Sequence, residues 1–193
     1  PAEQGAVRRK QGHAICGVDM KIVDNDGSEL PWDGATYGHL LVKGPWVVSG
    51  YFCGEGGDVL QDGWFPTGDV ATIDAEGYLT ITDRSKDVIK SGGEWIGSID
   101  LENIAMAHPA VLQAACIGVQ HPKWAERPLL VVVKRPGAEL AREELLAFFE
   151  GKVAKWWIPD DVVFAEALPV GGTGKIQKNK LREAYQDHRL PTA

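Results

Sequence analysis

Cysteine and methionine are scarce in this chain of 193 residues, with three of the first and two of the second. Cys16, Cys53 and Cys116 lie far apart, their number is odd and no C-x-x-C occurs. Neither a disulfide framework nor a cysteine zinc site is indicated. So few thiols suit a reducing compartment, and a cytoplasmic setting is expected, with peripheral contact at a membrane left open. The five histidines show no H-E-x-x-H spacing, so no metal site is expected within these residues. No apolar run is long enough to span a bilayer, and no secretory signal opens the chain. The first residue is Pro1 rather than Met, and the expectation is a piece of a longer protein.

Positive charge is short in the first half. Up to Asp83 there are 5 basic and 13 acidic residues; from Arg84 onward there are 15 and 14. An acidic first half would repel a phosphate backbone, which argues against nucleic acid as a partner. The second half can hold an anion locally.

Helical periodicity is also missing before residue 83. Val18 to Val23 alternates and runs into an Asp24-Asn25-Asp26-Gly27 turn. Leu40-Leu41-Val42 and Trp46-Val47-Val48 read as further strands, and Val70–Ile73 and Tyr78–Thr82 flank a hairpin loop at Asp74–Gly77. The reading is a small barrel or sandwich fragment over residues 1–83. Residues 84–193 mix periods. Val88-Ile89 and Trp95-Ile96 bracket a Gly-Gly turn, and Ser98 is placed to cap a helix from about Ile99 to Ala107. Val111–Val119, Leu129–Val133 and Asp161–Phe164 are strand-like. Helices are expected over Arg142–Val153 and Asn179–Asp187. Trp64, Trp95, Trp124, Trp156 and Trp157 are expected in the core or between domains.

Four short motifs carry chemistry. Asp69, after a Thr67-Gly68 turn, can accept hydrogen bonds from two vicinal hydroxyls; a turn aspartate that caps its own loop is the alternative. Arg84 can donate to the same diol, or pair with Asp83 or Asp87. Ser91-Gly92-Gly93-Glu94 lies between two strands, where adjacent glycines allow a ligand to approach the backbone closely, or simply make a hairpin turn. Lys175 ends the loop Gly171-Gly172-Thr173-Gly174-Lys175. An ammonium there can offset the repulsion between a carboxylate and a phosphate; the alternative is a solvated basic loop with Lys178, Lys180 and Arg182. A phosphate-binding P-loop is excluded, because Pro169 stands at its first glycine and Ile176 at its Ser/Thr.

Gly63-Trp64-Phe65-Pro66-Thr67-Gly68-Asp69, the run Asp83-Arg84-Ser85-Lys86-Asp87-Val88-Ile89-Lys90-Ser91-Gly92-Gly93-Glu94-Trp95, and Gly174-Lys175-Ile176 resemble, in order and spacing, the last three signatures of the acyl-CoA synthetase/adenylate-forming superfamily. The segments His121–Pro128 and Ala154–Asp160 look like its bacterial medium- and long-chain fatty acyl-CoA synthetase branch. The resemblance implies an α+β fold, with a β-rich barrel-like subdomain followed by a small mobile α+β C-terminal domain. It implies formation of an acyl-adenylate from ATP and a carboxylic acid, here a medium- or long-chain fatty acid, and then transfer of the acyl group to CoA. Asp69 and Arg84 would hold the ribose, Lys86 would be the hinge, and Lys175 the adenylation lysine. Ser91, Gly92, Gly93 and Glu94 would face CoA. The family's phosphate loop, its adenine and Mg2+ motif and the acyl pocket are expected upstream of Pro1, so the chain alone is expected to be inactive. Glu102 matches an acidic position of the pattern and is given no chemistry. A carrier-protein thiol or an oxygenation step as acceptor, or a non-catalytic CoA- or nucleotide-binding module, are the other readings.

Overall fold

Strand patterning dominates the fold, and its two compact units divide where the acidic half of the sequence gives way. A computed structural model describes residues 7, 8 and 10–193. The units are Pro1–Lys86 and Asp87–Ala193, so Arg84, Ser85 and Lys86 all lie in the first.

In the first unit, β1 (Asp19–Val23), β2 (Gly38–Lys43), β3 (Phe65–Ile73) and β4 (Leu79–Arg84) form one antiparallel sheet in chain order. Ile22, Leu40, Ala71 and Ile73 are buried on one face, with Met20, Leu30, Val42 and Leu79 packed around them. One apolar face per strand is what alternating sequences provide, and it needs no closure to be buried. Among the described residues the sheet is therefore open, and the barrel-like closure expected from sequence is not seen. The free edge of β4 is partly covered by Gln11 and Gly12, whose backbones bond Leu79 on both sides. Trp46-Val47-Val48 is not a strand. Gly44 turns the chain, the Val47 N–H returns to the Gly44 carbonyl, and Trp46 is 73% exposed. The β3–β4 loop is the expected hairpin: one Asp74 oxygen accepts the N–H groups of Glu76 and Tyr78 at 3.0 and 2.9 Å, and the other pairs with Lys10.

The second unit runs β5 (Ile89–Ser91), β6 (Glu94–Ile96), α1 (Ser98–Met106), β7 (Val111–His121), β8 (Ala125–Lys134), α2 (Arg142–Phe148), β9 (Asp161–Phe164) and α3 (Lys178–Ala184). The sheet order is β6-β5-β8-β7, and β9 pairs parallel to β8. Leu129 to Val133 is continuously apolar because β8 is covered on both faces. Leu130 and Val132 pack with Leu101, Ala105, Leu145 and Phe149 from the α1 and α2 side; Leu129, Val131 and Val133 pack with Leu168, Leu181 and Leu190. No helix among the described residues is long and apolar enough to cross a membrane.

Two local expectations change. Ser98 is the first residue of α1 rather than its cap; Gly97 takes the cap position, and the buried Ser98 hydroxyl accepts from Lys178 Nζ at 2.6 Å. The helices α2 and α3 end at Phe148 and Ala184, several residues short of the apolar pattern. In α2 the next apolar residue, Phe149, still buries its ring at the helix end, so hydrophobic spacing outlasts helical geometry.

A pH dependence follows in the first unit. Asp33 accepts the Thr36 N–H, the Thr36 hydroxyl and the Ala35 N–H, which lower its pKa from 3.8 to about 2. Such a group stabilises the fold above its unfolded pKa, and that stabilisation is lost as pH falls through the folded value. Thermal melts between pH 4 and 2 should therefore fall less steeply for Asp33→Asn than for the wild type; parallel curves would contradict the linkage.

Candidate functional site

In the first unit, adjacent-strand register brings Asp69 opposite Arg84. Arg84 Nη1 lies 3.0 Å from Asp69 Oδ1, with the arginine side chain 57% exposed. A pair this open is worth at most about 1 kcal/mol, so it adds little to stability and is easily reorganised around a ligand. The Asp69 N–H donates to Thr67 Oγ1 at 3.1 Å, which orients the turn. Asp69 borders a concave site of ≈ 380 Å³ with Asp24, Asn25, His39, Gly68 and Ser85. His39 reaches Ser85 Oγ at 3.1 Å and Asn25 Oδ1 at 3.3 Å. Of the two sequence alternatives for Arg84, Asp87 pairs with Arg182 instead, and Asp83 accepts the backbone N–H of Arg84, not its guanidinium.

In the second unit, Ser91-Gly92-Gly93-Glu94 is a tight hairpin between β5 and β6. Gly92 and Gly93 have φ of +61° and +90°, a conformation that side chains disfavour. The Gly92 N–H donates to the Trp124 carbonyl at 2.9 Å, and the Trp124 ring lies over Gly92 so closely that a Cβ would meet Cε3 at 2.9 Å. Ser91, Gly92, Glu94, Trp124, Arg127 and Trp156 line a cavity of ≈ 320 Å³. A glycine floor between two half-exposed indoles suits a slender or flat ligand.

Arg127 organises this cavity and escaped the sequence reading. Its side chain is 11% exposed, and that of Asp160 is 5%. Nε donates to Asp160 Oδ1 at 2.7 Å, and Nη2 lies 2.5 Å from the same oxygen. Nη1 donates to Ser91 Oγ at 3.1 Å and to the Trp156 carbonyl at 2.6 Å, and Nη2 to the Ile158 carbonyl at 3.2 Å. Breaking such a buried pair costs about 3–5 kcal/mol. The signal was present in the sequence as one arginine and one aspartate in the two branch-like segments, but pairing across 33 residues is not a local pattern.

Lys175 stands on a loop closed at its base by a bridge between Val170 and Ile176. The Gly171 N–H donates to the Lys175 carbonyl at 2.8 Å, and the Gly174 N–H to the Gly171 carbonyl at 2.9 Å. The Lys175 side chain is exposed and, among the described residues, has no partner. Beyond it, Lys178 Nζ is 2.6 Å from Glu102 Oε1, an oxygen that also accepts the Cys116 N–H at 2.8 Å. Glu102 thus anchors the start of α3 behind the loop.

None of the five singled-out tryptophans is fully buried, and Trp157 packs against the core of the second unit. Trp124 and Trp156 are more than 40% exposed, and Trp64, Trp95 and Trp157 are half-buried. Lys21 lies over the Trp64 ring at 4.6 Å. Among the described residues no group of three or more His, Cys, Asp or Glu could hold a metal ion.

Residues 100–175 match the AMP-binding enzyme C-terminal domain family. The chain is 59% identical over 185 residues to 3-methylmercaptopropionyl-CoA ligase of Ruegeria lacuscaerulensis, covering 96% of this chain and 34% of the relative. It is 53% identical over 187 residues to medium-chain-fatty-acid–CoA ligase of Ectopseudomonas oleovorans, covering 97% and 34%. Among solved structures, ATP-bound MatB from Rhodopseudomonas palustris superposes with a TM-score of 0.81 at 36% identity, over 93% of this chain and 36% of that one. The matched residues 100–175 lie within the second unit, and the chain as a whole resembles the C-terminal part of AMP-forming acyl-CoA ligases. It spans about a third of the length of the curated relatives it matches.

Two backbone substitutions test the cavity geometry. Gly92→Ala should destabilise more than Gly93→Ala. Both meet the left-handed penalty of about 1–2 kcal/mol, but only the first also displaces Trp124, since nothing lies within 4 Å of a Cβ at Gly93. Equal denaturation midpoints would show that the indole does not pack on Gly92. Ala125, on the turn beside Trp124, has φ of +66°. Ala125→Gly should raise stability by about 1 kcal/mol in the same assay.

Proposed function

We propose that this chain is the C-terminal part of an AMP-forming acid–CoA ligase. The ligase forms an acyl-adenylate and pyrophosphate from ATP and a carboxylic acid, then transfers the acyl group to the thiol of CoA. The observation that carries this reading is the unpartnered Lys175. In the same unit Arg127, Arg142, Lys178 and Arg182 are each committed to a carboxylate, and what sets Lys175 apart from other exposed cations such as Lys155 and Lys180 is its glycine loop closed by the Val170–Ile176 bridge. A cation held exposed on a pinned loop is available to a ligand, and a carboxylate approaching an α-phosphate needs that charge between them.

In this proposal Asp69 accepts from the ribose hydroxyls and Arg84 donates to them. The cavity at Ser91, Gly92 and Glu94 takes the thiol arm of CoA, with Trp124 and Trp156 as its walls, and Gly93 completes the turn. Lys86, the last residue of the first unit, is the hinge that lets adenylation and thiolysis use different faces of the second unit. The acid is a medium- or long-chain fatty acid, and its pocket belongs to the remainder of the protein. Relatives named for a methylmercaptopropionyl and for a medium-chain fatty acyl group are nearly equally similar, so these residues do not select the acid. A cytoplasmic setting completes the proposal.

In the full-length protein, Lys175→Ala should lower acid-dependent ATP–pyrophosphate exchange by about a hundred- to a thousandfold. Thiolysis of supplied acyl-adenylate by CoA should persist. Exchange at the wild-type rate would overturn the assignment. Acceptance of a carrier-protein thiol with no reaction toward free CoA would replace the acceptor and leave the adenylation step standing.

A further inference from the structure

The two walls of the Ser91–Trp156 cavity come from distant segments, yet both are tied to one residue near the end of the chain. Thr192 Oγ1 donates to Asp160 Oδ2, the oxygen that Arg127 leaves open. Asp160 in turn fixes the guanidinium that holds Ser91 Oγ and the Trp156 carbonyl. The Thr192 carbonyl accepts from His121 Nε2 at 3.1 Å. His121 is buried, and its Nδ1 accepts the backbone N–H groups of Lys123 and Trp124 at 3.1 and 3.3 Å. With Nδ1 occupied as an acceptor on two donors and Nε2 facing a carbonyl, the ring is fixed as the Nε2–H tautomer. The turn carrying Trp124 is thus also referred to Thr192. Leu190 is 3% exposed, and His188 Nε2 lies 2.9 Å from the buried Asp161, so this tail is seated on the unit.

We propose that Thr192 is a positioning residue for the thiol-accepting cavity, setting the spacing of Trp124 and Trp156 through His121 on one side and the Asp160–Arg127 pair on the other. The inference rests on the ligase reading for its kinetic consequence, though its geometric content stands alone. Thr192 touches no cavity atom. Thr192 is itself exposed, so its effect has to pass through the Asp160–Arg127 pair and the buried His121 ring.

Thr192→Val keeps the shape and removes the donor; Thr192→Ser keeps the donor. In the full-length protein Thr192→Val should raise KM for CoA about tenfold, leave ATP–pyrophosphate exchange at the wild-type rate, and be rescued by Thr192→Ser. With 5-fluorotryptophan incorporated, the 19F resonance of Trp156, assigned by Trp→Phe substitution, should move in Thr192→Val, which removes the hydroxyl donor to Asp160, and stay in place in Thr192→Ser. An unchanged KM for CoA in an active enzyme, equal losses in both half-reactions, or an unmoved Trp156 resonance would each overturn the proposal. A wild-type protein that forms neither acyl-adenylate nor thioester would refute the ligase reading, and the fluorine measurement would still decide this one.

Discussion

The second unit depends on a single buried guanidinium. Arg127 engages Asp160, Ser91 and two backbone carbonyls, so one planar fork joins β8, the end of β5 and the chain entering β9. Taking a charged pair out of water is unfavourable unless its remaining donors and lone pairs are also satisfied. Here they are, and the geometry of a fixed fork becomes the geometry of the cavity above it. A lysine could supply the charge but not the set of directions. This is why the cavity wall, made of loops and a three-residue turn, can hold an ordered shape at all.

That fork works because β8 is held from several directions. It pairs along its length with β7, touches β5 at Ser91↔Ala125, and pairs parallel to β9 from Leu129 to Val132. Apolar side chains from both faces then bury the strand completely at Leu129, Leu130, Val131 and Val132. Arg127 lies two residues before this run, at the point where hydrophobic packing gives way to polar contacts. The core sets the position of its backbone, and the charged network sets its tip.

What the sequence revealed follows the range of the interactions involved. Strands with alternating or continuous apolar runs, the Asp74–Gly77 hairpin and the Gly92-Gly93 turn are local in origin, and their chemistry is written in adjacent residues. Trp46-Val47-Val48 has the β-propensity of a strand, but the Gly44 turn removes it from the sheet. The Ser98 hydroxyl is placed to cap its own helix, but Lys178, 80 residues away, recruits it instead. Asp69, Arg84, the Gly92-Gly93 turn and Lys175 stand in family-like motifs, and Arg127, Asp160 and His121 lie in the branch-like segments, but the pairings that join these three to one another and to Thr192 are not local patterns. These residues act through pairings across 32 to 71 residues, which no window along the chain displays.

The second unit therefore separates two kinds of work between two kinds of cation. Lys175 is exposed and uncommitted, on a loop whose flank is anchored by Lys178 to Glu102 and Ser98. Arg127 is buried and fully committed, beneath the cavity of the Gly92 turn. The two anchoring networks share no side chain. Perturbations of residues without common partners are usually independent. A domain built this way can tune its charge-bearing loop and its glycine-floored cavity separately, and sequence change at one need not be compensated at the other.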